Sequence, residues 1–140
     1  MKRKLFLLIF WIVAALFPFG WLTVCSNTYS RVFNFVFDTP LSHVILHAAI
    51  FCGLMILLAV TFGGNAPARG RHWALRLLFL WGVVALVAGS QEWIQLLYKA
   101  RQSGADEYFD IGVDMSGAAV GLIVIGSYGR VVKWSRSWMK

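Results

Sequence analysis

The sequence is poor in charge. Charged residues make up 14% of its 140 positions, and only 6 of them are acidic against 13 that are basic. A soluble domain usually carries about 25% charged residues, and a chain this short with 59% hydrophobic residues cannot hide so much apolar surface in one core. The same composition excludes intrinsic disorder, which requires low hydrophobicity. We therefore predict an integral membrane protein with an all-α fold.

Cysteine is scarce as well, and the two cysteines are not predicted to form a disulfide. Cys25 ends the first apolar run, whereas Cys52 lies about eleven residues into the second, so at about 1.5 Å per residue their depths differ by well over 10 Å. The sequence also lacks zinc-ligand spacing, a phosphate-binding loop and internal repeats. It therefore predicts no metal and no cofactor.

Long apolar runs are what the sequence has instead. Runs of about 18 or more apolar residues predict transmembrane helices. Four such runs cover residues 5–25, 41–62, 74–98 and 111–129. Too little of the chain lies outside these runs to form a soluble domain, so we predict a single membrane domain over residues 1–140, built as a four-transmembrane-helix bundle.

The first run can also be read as a cleaved signal peptide, because it follows the basic sequence MKRK. Its length of about 21 residues exceeds that of a usual signal-peptide core, and Val24 before Cys25 is too bulky for a normal processing site. We therefore predict an uncleaved helix, kinked at Pro18.

The basic residues divide unevenly between the two ends of such a bundle. Ten lie on one side, and only Arg31, Lys99 and Arg101 lie on the other. The positive-inside rule places the side with ten in the cytoplasm, so we predict a multi-pass protein of the cytoplasmic (inner) membrane with both termini cytoplasmic. Orientation then accounts for most of the net charge of +7, and no nucleic-acid partner is predicted. The ten are Lys2, Arg3, Lys4, Arg69, Arg71, Arg76, Arg130, Lys133, Arg136 and Lys140.

Ionisable side chains within the spans are the candidates for function, because they are costly inside a bilayer. His47, Glu92 and Asp114 lie about 5–9 Å below the outer ends of their spans at the helical rise per residue. Similar depth permits them to meet, and Gln95 shares the helical face of Glu92. The alternative for His47 is a purely structural hydrogen bond to a neighbouring helix.

The fourth run carries a stripe of functional candidates and small residues. Asp110, Asp114, Gly117 and Gly121 are spaced i, i+4, i+7 and i+11 and share one helical face. The two glycines form a Gly-x-x-x-Gly pair, which allows close helix packing. Asp106 and Glu107, just before the run, are expected to be solvated loop acids.

These polar residues occur in an ordered set. The set comprises His47-x-x-x-Phe51, Glu92-x-x-Gln95, Arg101, Asp110-x-x-x-Asp114 and Gly117-x-x-x-Gly121. It resembles the VanZ-like family of small integral membrane proteins over roughly residues 43–121. The chain departs from the family in having His43 and Val44 where Asp-Lys often precedes the histidine, and in a longer spacer before Asp110.

The resemblance implies an accessory protein of the bacterial cell envelope that acts at the outer face of the cytoplasmic membrane. The family's namesake is linked to low-level resistance to teicoplanin-type glycopeptides. Besides the lipid bilayer, we expect as partner a lipid-linked envelope precursor or an amphiphilic drug, with Arg101 on its phosphate or carboxylate. The expected ligand-binding residues are His47, Glu92, Gln95, Arg101, Asp110 and Asp114.

Two other functions stay open at this point. One is a membrane-embedded enzyme acting on a polyprenyl-phosphate-linked or other phospholipid-like substrate, with His47 or Glu92 as general base. In that case Asp110 and Asp114 can alternatively share a divalent cation. The other is a small drug transporter, which the shallow position of Glu92 disfavours. The sequence also leaves open whether the chain forms oligomers.

Overall fold

The computed structural model describes residues 2–36, 39–62, 71–99 and 104–138, and at 20, 24, 71–74, 98–99 and 128–138 it describes the backbone alone. Every regular element in these residues is helical, which confirms the all-α prediction. The elements in chain order are α1 (Lys2–Leu16), a 3-10 turn (Phe19–Trp21), α2 (Leu22–Cys25), α3 (Asn27–Val36), α4 (Pro40–Phe62), α5 (Arg71–Lys99) and α6 (Ala105–Trp138).

Three helices are long and apolar enough to cross a membrane. They are α4 over its full length, α5 over Leu75–Leu97 and α6 over Ala105–Ser127. Large apolar side chains are exposed on the outward faces of α5 and α6, for example Leu86 and Ile123. A surface of this kind suits lipid rather than water, so these three helices are compatible with a multi-pass membrane protein.

The first predicted span, residues 5–25, is not one continuous helix. α1 ends at Leu16, two residues before Pro18, which lacks an N–H group and disfavours the helical conformation of the residue before it. At 15 residues, α1 has a length of about 22 Å, which is shorter than the roughly 30 Å hydrocarbon core of a bilayer. The expected kink is therefore a helix end.

Polar caps begin the helices that follow this break. Ser26 accepts a hydrogen bond at its Oγ from the backbone N–H of Tyr29 (3.3 Å) and starts α3, a helix that the sequence analysis did not predict. Thr39 likewise accepts at Oγ1 from the N–H of Ser42 (3.2 Å) and starts α4. Pro40 takes the first position of α4, where a missing N–H costs nothing.

The most extensive helix contact is between α4 and α6. A Cβ atom on Gly117 would meet the carbonyl oxygen of Ala48, and a Cβ atom on Gly121 would lie 2.7 Å from the carbonyl oxygen of Cys52. The later glycine of α6 meets the later residue of α4, so the two helices run parallel. Only glycine lets two helix backbones approach this closely.

Helix α5 returns antiparallel to the other two. At one end the rings of Phe62 and Phe79 stand edge to face with centroids 6.2 Å apart. Toward the opposite end, Glu92 lies beside His47. α4 and α6 therefore cross in one direction and α5 in the other, which brings the start of α4, the end of α5 and the start of α6 to one end of the bundle.

The hydrophobic core follows the inner face of α4. α1 is fastened to this helix by Trp11, whose Nε1–H donates to the carbonyl oxygen of Ile50 (2.9 Å) and whose ring lies against Gly53. Both cysteines are free, as predicted. The most completely buried apolar side chains are Phe51, Leu54, Met55, Leu58, Val84, Ala88 and Ala118.

Candidate functional site

The centre of the site is a buried pair that joins α4 to α6. Nδ1 of His47 lies 2.9 Å from Oδ1 of Asp114, and the two side chains are 8% and 0% exposed. The second carboxylate oxygen of Asp114 is also buried and has no hydrogen-bond partner within the described part of the chain. The distance within the pair is short because Gly117, one turn further along α6, has no side chain and lets the two helix backbones approach closely.

Glu92 of α5 completes a buried cluster of three residues. Its side chain is 4% exposed, and one ligand-type atom from each of His47, Glu92 and Asp114 lies within 4.8 Å of the others. Gln95, one turn further along α5, donates from Nε2 to Oε1 of Glu92 (3.3 Å). Three helices thus bring polar side chains to one point, as their similar depths permit.

A second pair lies one turn nearer the helix starts. Nδ1 of His43 is 3.8 Å from Oδ1 of Asp110, with side chains 39% and 17% exposed, and the rings of His43 and His47 are 4.4 Å apart. Two histidines spaced i, i+4 on α4 therefore face two aspartates spaced i, i+4 on the parallel helix α6. We call His43–Asp110 the outer pair and His47–Asp114 the inner pair.

A cavity of about 590 Å³ opens beside these pairs, between the end of α1, α3, α4 and α5. This volume is within the range of small-molecule sites. Its polar lining residues are Thr23, Asn34, Thr39, His43, His47, Gln91 and Gln95. The Oε1 atom of Gln91 is buried without a hydrogen-bond partner in the described residues. The rest of the lining is mainly apolar and includes Leu16, Phe17, Phe19, Leu46, Ile50 and Ile94.

Sequence reasoning missed two residues of this site. His43 was not among the predicted site residues, although its i, i+4 spacing to His47 matches that of Asp110 to Asp114. Gln91 was also overlooked, although it precedes Gln95 by four residues and shares its face of α5. Arg101, the predicted contact for phosphate or carboxylate, lies outside the described residues.

One of the two expected loop acids is buried. Asp106 and Glu107 both belong to the first turn of α6, and Asp106 is exposed, but Glu107 is only 6% exposed. Oε2 of Glu107 accepts a 2.7 Å hydrogen bond from the backbone N–H of Gly104, as the glutamate of a capping box does. The prediction of a solvated loop is wrong for Glu107, because the carboxylate caps the helix.

Glu107→Ala is expected to lower the free energy of unfolding by about 1 kcal/mol, the usual cost of a lost helix cap. Asp106→Ala is the matched control, since Asp106 is an exposed acid in the same turn. Denaturant unfolding in detergent, followed by circular dichroism, measures both variants. Equal losses of stability in the two variants would show that the first-turn charge, and not the cap, is what matters.

Comparisons of the chain with protein-family models, with curated proteins and with solved structures find no match. The resemblance to the VanZ-like family therefore rests on the ordered set of residues in the sequence. The functional proposal is based on the geometry of the described residues. That geometry consists of a cavity lined by polar and apolar side chains and a buried polar cluster that shares His47 with it.

Proposed function

We propose that this chain is a multi-pass protein of the bacterial cytoplasmic membrane that binds an amphiphilic molecule at the outer face. The ligand is a lipid-linked envelope component or an amphiphilic drug. The observation that carries the proposal is the cavity of about 590 Å³, which is lined by both polar and apolar side chains. The cavity lies at the end of the bundle that the positive-inside rule assigns to the outside.

The apolar and the polar lining residues favour different parts of one ligand. Phe17, Ile50 and Ile94 offer an apolar surface to a hydrocarbon or aromatic group. Gln91 and Gln95, which line the same cavity, carry amide donors and acceptors. The described lining residues include neither lysine nor arginine. These amides favour a sugar or amide headgroup, and contact with a phosphate stays proposed for Arg101.

The resemblance to the VanZ-like family supports the same location. Glycopeptides of the teicoplanin type act outside the cytoplasmic membrane, and they combine sugars and amides with an acyl chain. An accessory role in resistance to them is the form of the proposal that this family suggests. The four-span bundle with both termini in the cytoplasm belongs to the same proposal, with α1 and the residues after Pro18 as its first, interrupted crossing.

The proposal is tested by closing the cavity with a single large side chain. Ile94 lines the cavity, so Ile94→Trp is expected to weaken ligand binding about tenfold or more. Leu97, nearly one turn further along α5, is 67% exposed, so Leu97→Trp is the matched control and is expected to bind as the unmodified protein does. Native mass spectrometry and thermal shift in detergent measure binding of teicoplanin, a polyprenyl phosphate and the matching polyprenol.

Each probe result has a consequence. Binding of teicoplanin alone favours the drug, and binding of polyprenyl phosphate in preference to the polyprenol favours a lipid-linked phosphate. Equal affinity of the two tryptophan variants would remove the cavity as the binding site. Absence of binding by all three probes to the unmodified protein would overturn the proposal for these ligand classes.

A membrane-embedded enzyme is the second candidate, and one observation favours it. The imidazole of His47 lines the cavity and is bonded through Nδ1 to the buried carboxylate of Asp114. A carboxylate in this position holds a histidine in the tautomer and orientation that a general base requires. Hydrolysis of a polyprenyl-phosphate-linked substrate that is lost in Asp114→Asn would support this function, and no turnover by the unmodified protein would reject it.

A further inference from the structure

We propose that His47, Glu92 and Asp114 form a binding site for one divalent first-row metal ion, with zinc bound more tightly than manganese. One imidazole nitrogen and two carboxylates are ligands that zinc and manganese accept. The site goes beyond the proposed ligand cavity, because an ion can bind whether or not the cavity holds an amphiphile.

The distance between the two polar atoms of the inner pair is close to the distance between two ligands of one metal ion. Two ligand atoms that are each about 2.1 Å from a tetrahedral zinc ion lie about 3.4 Å apart. Nδ1 of His47 and Oδ1 of Asp114 are 2.9 Å apart in the hydrogen bond between them, so an ion that replaces the shared proton requires the two atoms to separate by about 0.5 Å. The neutral histidine with its proton on Nε2 presents Nδ1 as a ligand. Glu92 has a ligand atom within 4.8 Å of both, so a modest side-chain movement brings it into coordination.

Burial of charge gives an independent reason for an ion. Asp114 is fully buried, and its Oδ2 atom has no hydrogen-bond partner among the described residues. Uncompensated charge is costly inside a protein and inside a bilayer. Two ionised carboxylates and one divalent cation sum to zero charge, and Oδ2 offers a lone pair that no donor among the described residues uses.

The surroundings have two further features of a metal site. The side-chain amide of Gln95 donates to Glu92, which orients a ligating carboxylate as hydrogen bonds around metal centres do. His47 also lines the cavity, which provides a path for the ion and room for a further ligand. Three protein ligands leave at least one coordination position open, which is typical of catalytic rather than structural zinc sites.

The sequence did not indicate this site because its ligands come from three different helices. Zinc motifs are recognised by short spacings between ligands, and His47, Glu92 and Asp114 are far apart in the chain. From the sequence, a divalent cation was expected only as an alternative between Asp110 and Asp114. In the structure the ion would lie instead across the inner pair, with Glu92 as third ligand.

The full-length protein in detergent, with its purification tag removed, tests the proposal after treatment with a chelator. Titration with zinc, manganese and magnesium against a competing chromophoric chelator measures affinity, and elemental analysis measures stoichiometry. We expect one zinc per chain, weaker manganese binding and no magnesium binding. Glu92→Gln and Asp114→Asn are expected to weaken zinc binding by about tenfold to a hundredfold. Cobalt substitution adds a visible spectrum that reports nitrogen and oxygen coordination.

His43→Ala is the control variant, because His43, His47 and Asp110 form the other possible ligand group. Unchanged zinc affinity in His43→Ala supports the inner site, and loss of binding in that variant overturns it in favour of the outer pair. Equal affinity in all variants means an adventitious ion only and also overturns the proposal. If Asp114→Asn does not fold, Glu92→Gln decides, since it keeps the inner pair intact.

The metal site and the ligand cavity can fail separately. Ile94→Trp fills the cavity and removes none of the three metal ligands, so it is expected to slow the entry of zinc and to leave the equilibrium affinity for zinc unchanged. Glu92→Gln is expected to lose zinc and to keep the apolar lining of the cavity. Loss of zinc binding in Ile94→Trp would contradict a site centred on His47, Glu92 and Asp114.

Discussion

Gly117→Ala is expected to lower the free energy of unfolding by more than about 3 kcal/mol. An overpacked core typically costs about 1–3 kcal/mol. The added methyl group would meet the backbone carbonyl oxygen of Ala48 and lie 2.7 Å from its Cα. A flexible side chain can turn away from such a contact, but a helix backbone cannot. Helix α6 must therefore move away from α4, and unfolding in detergent followed by circular dichroism measures the loss.

Two other glycines of α6 make this prediction specific. Gly112 has open space where its Cβ would lie, so Gly112→Ala is expected to leave stability unchanged or raise it by up to about 1 kcal/mol through helix propensity. At Gly121 the new atom would meet the carbonyl oxygen of Cys52 at 2.7 Å, so Gly121→Ala is expected to fall between the two. Equal stability of the Gly117 and Gly112 variants would contradict the close approach of α4 and α6.

The long helices were predictable because an apolar run is a strong local signal. The predicted span 41–62 compares with α4 at Pro40–Phe62, and 74–98 compares with α5 at Arg71–Lys99. The start of α6 was placed six residues too late, because first-turn acids resemble a polar loop when their capping contacts are unknown. The first span was predicted as one helix with a kink at Pro18, and not as a helix that ends there, because its apolar composition does not change at this residue.

The sequence predicted the heights of the site residues along their helices, but it did not predict which helix faces meet. Helical rise alone puts His47, Glu92 and Asp114 at similar heights. Which faces of the three helices meet depends on the close contact of Gly117 with Ala48, and a single sequence gives no partner for a Gly-x-x-x-Gly pair. The matched i, i+4 spacings of two histidines and two aspartates were the available signal, and they have meaning only once α4 and α6 are known to be parallel.

A double-mutant cycle on the inner pair is expected to give a coupling free energy of about 1–2 kcal/mol, at the upper end for contacts between membrane helices. The variants are His47→Ala, Asp114→Ala and the two combined. Each single change leaves a buried polar partner without its 2.9 Å hydrogen bond. The double change removes both partners, so it is expected to cost less than the sum of the two single losses. Unfolding must be measured with a chelator present, so that a bound metal ion does not contribute to the coupling.

The outer pair provides the matched control, because His43 and Asp110 come from the same two helices one turn away. Their atoms are 3.8 Å apart, and the side chains are 39% and 17% exposed, so solvent screens the interaction and the coupling is expected to be below about 1 kcal/mol. Burial and the distance between the two atoms, 3.8 Å in the outer pair and 2.9 Å in the inner pair, then separate the pairs, since their residue types and sequence spacing are the same. A coupling in the outer pair as large as that in the inner pair would show that desolvation does not strengthen the contact between His47 and Asp114.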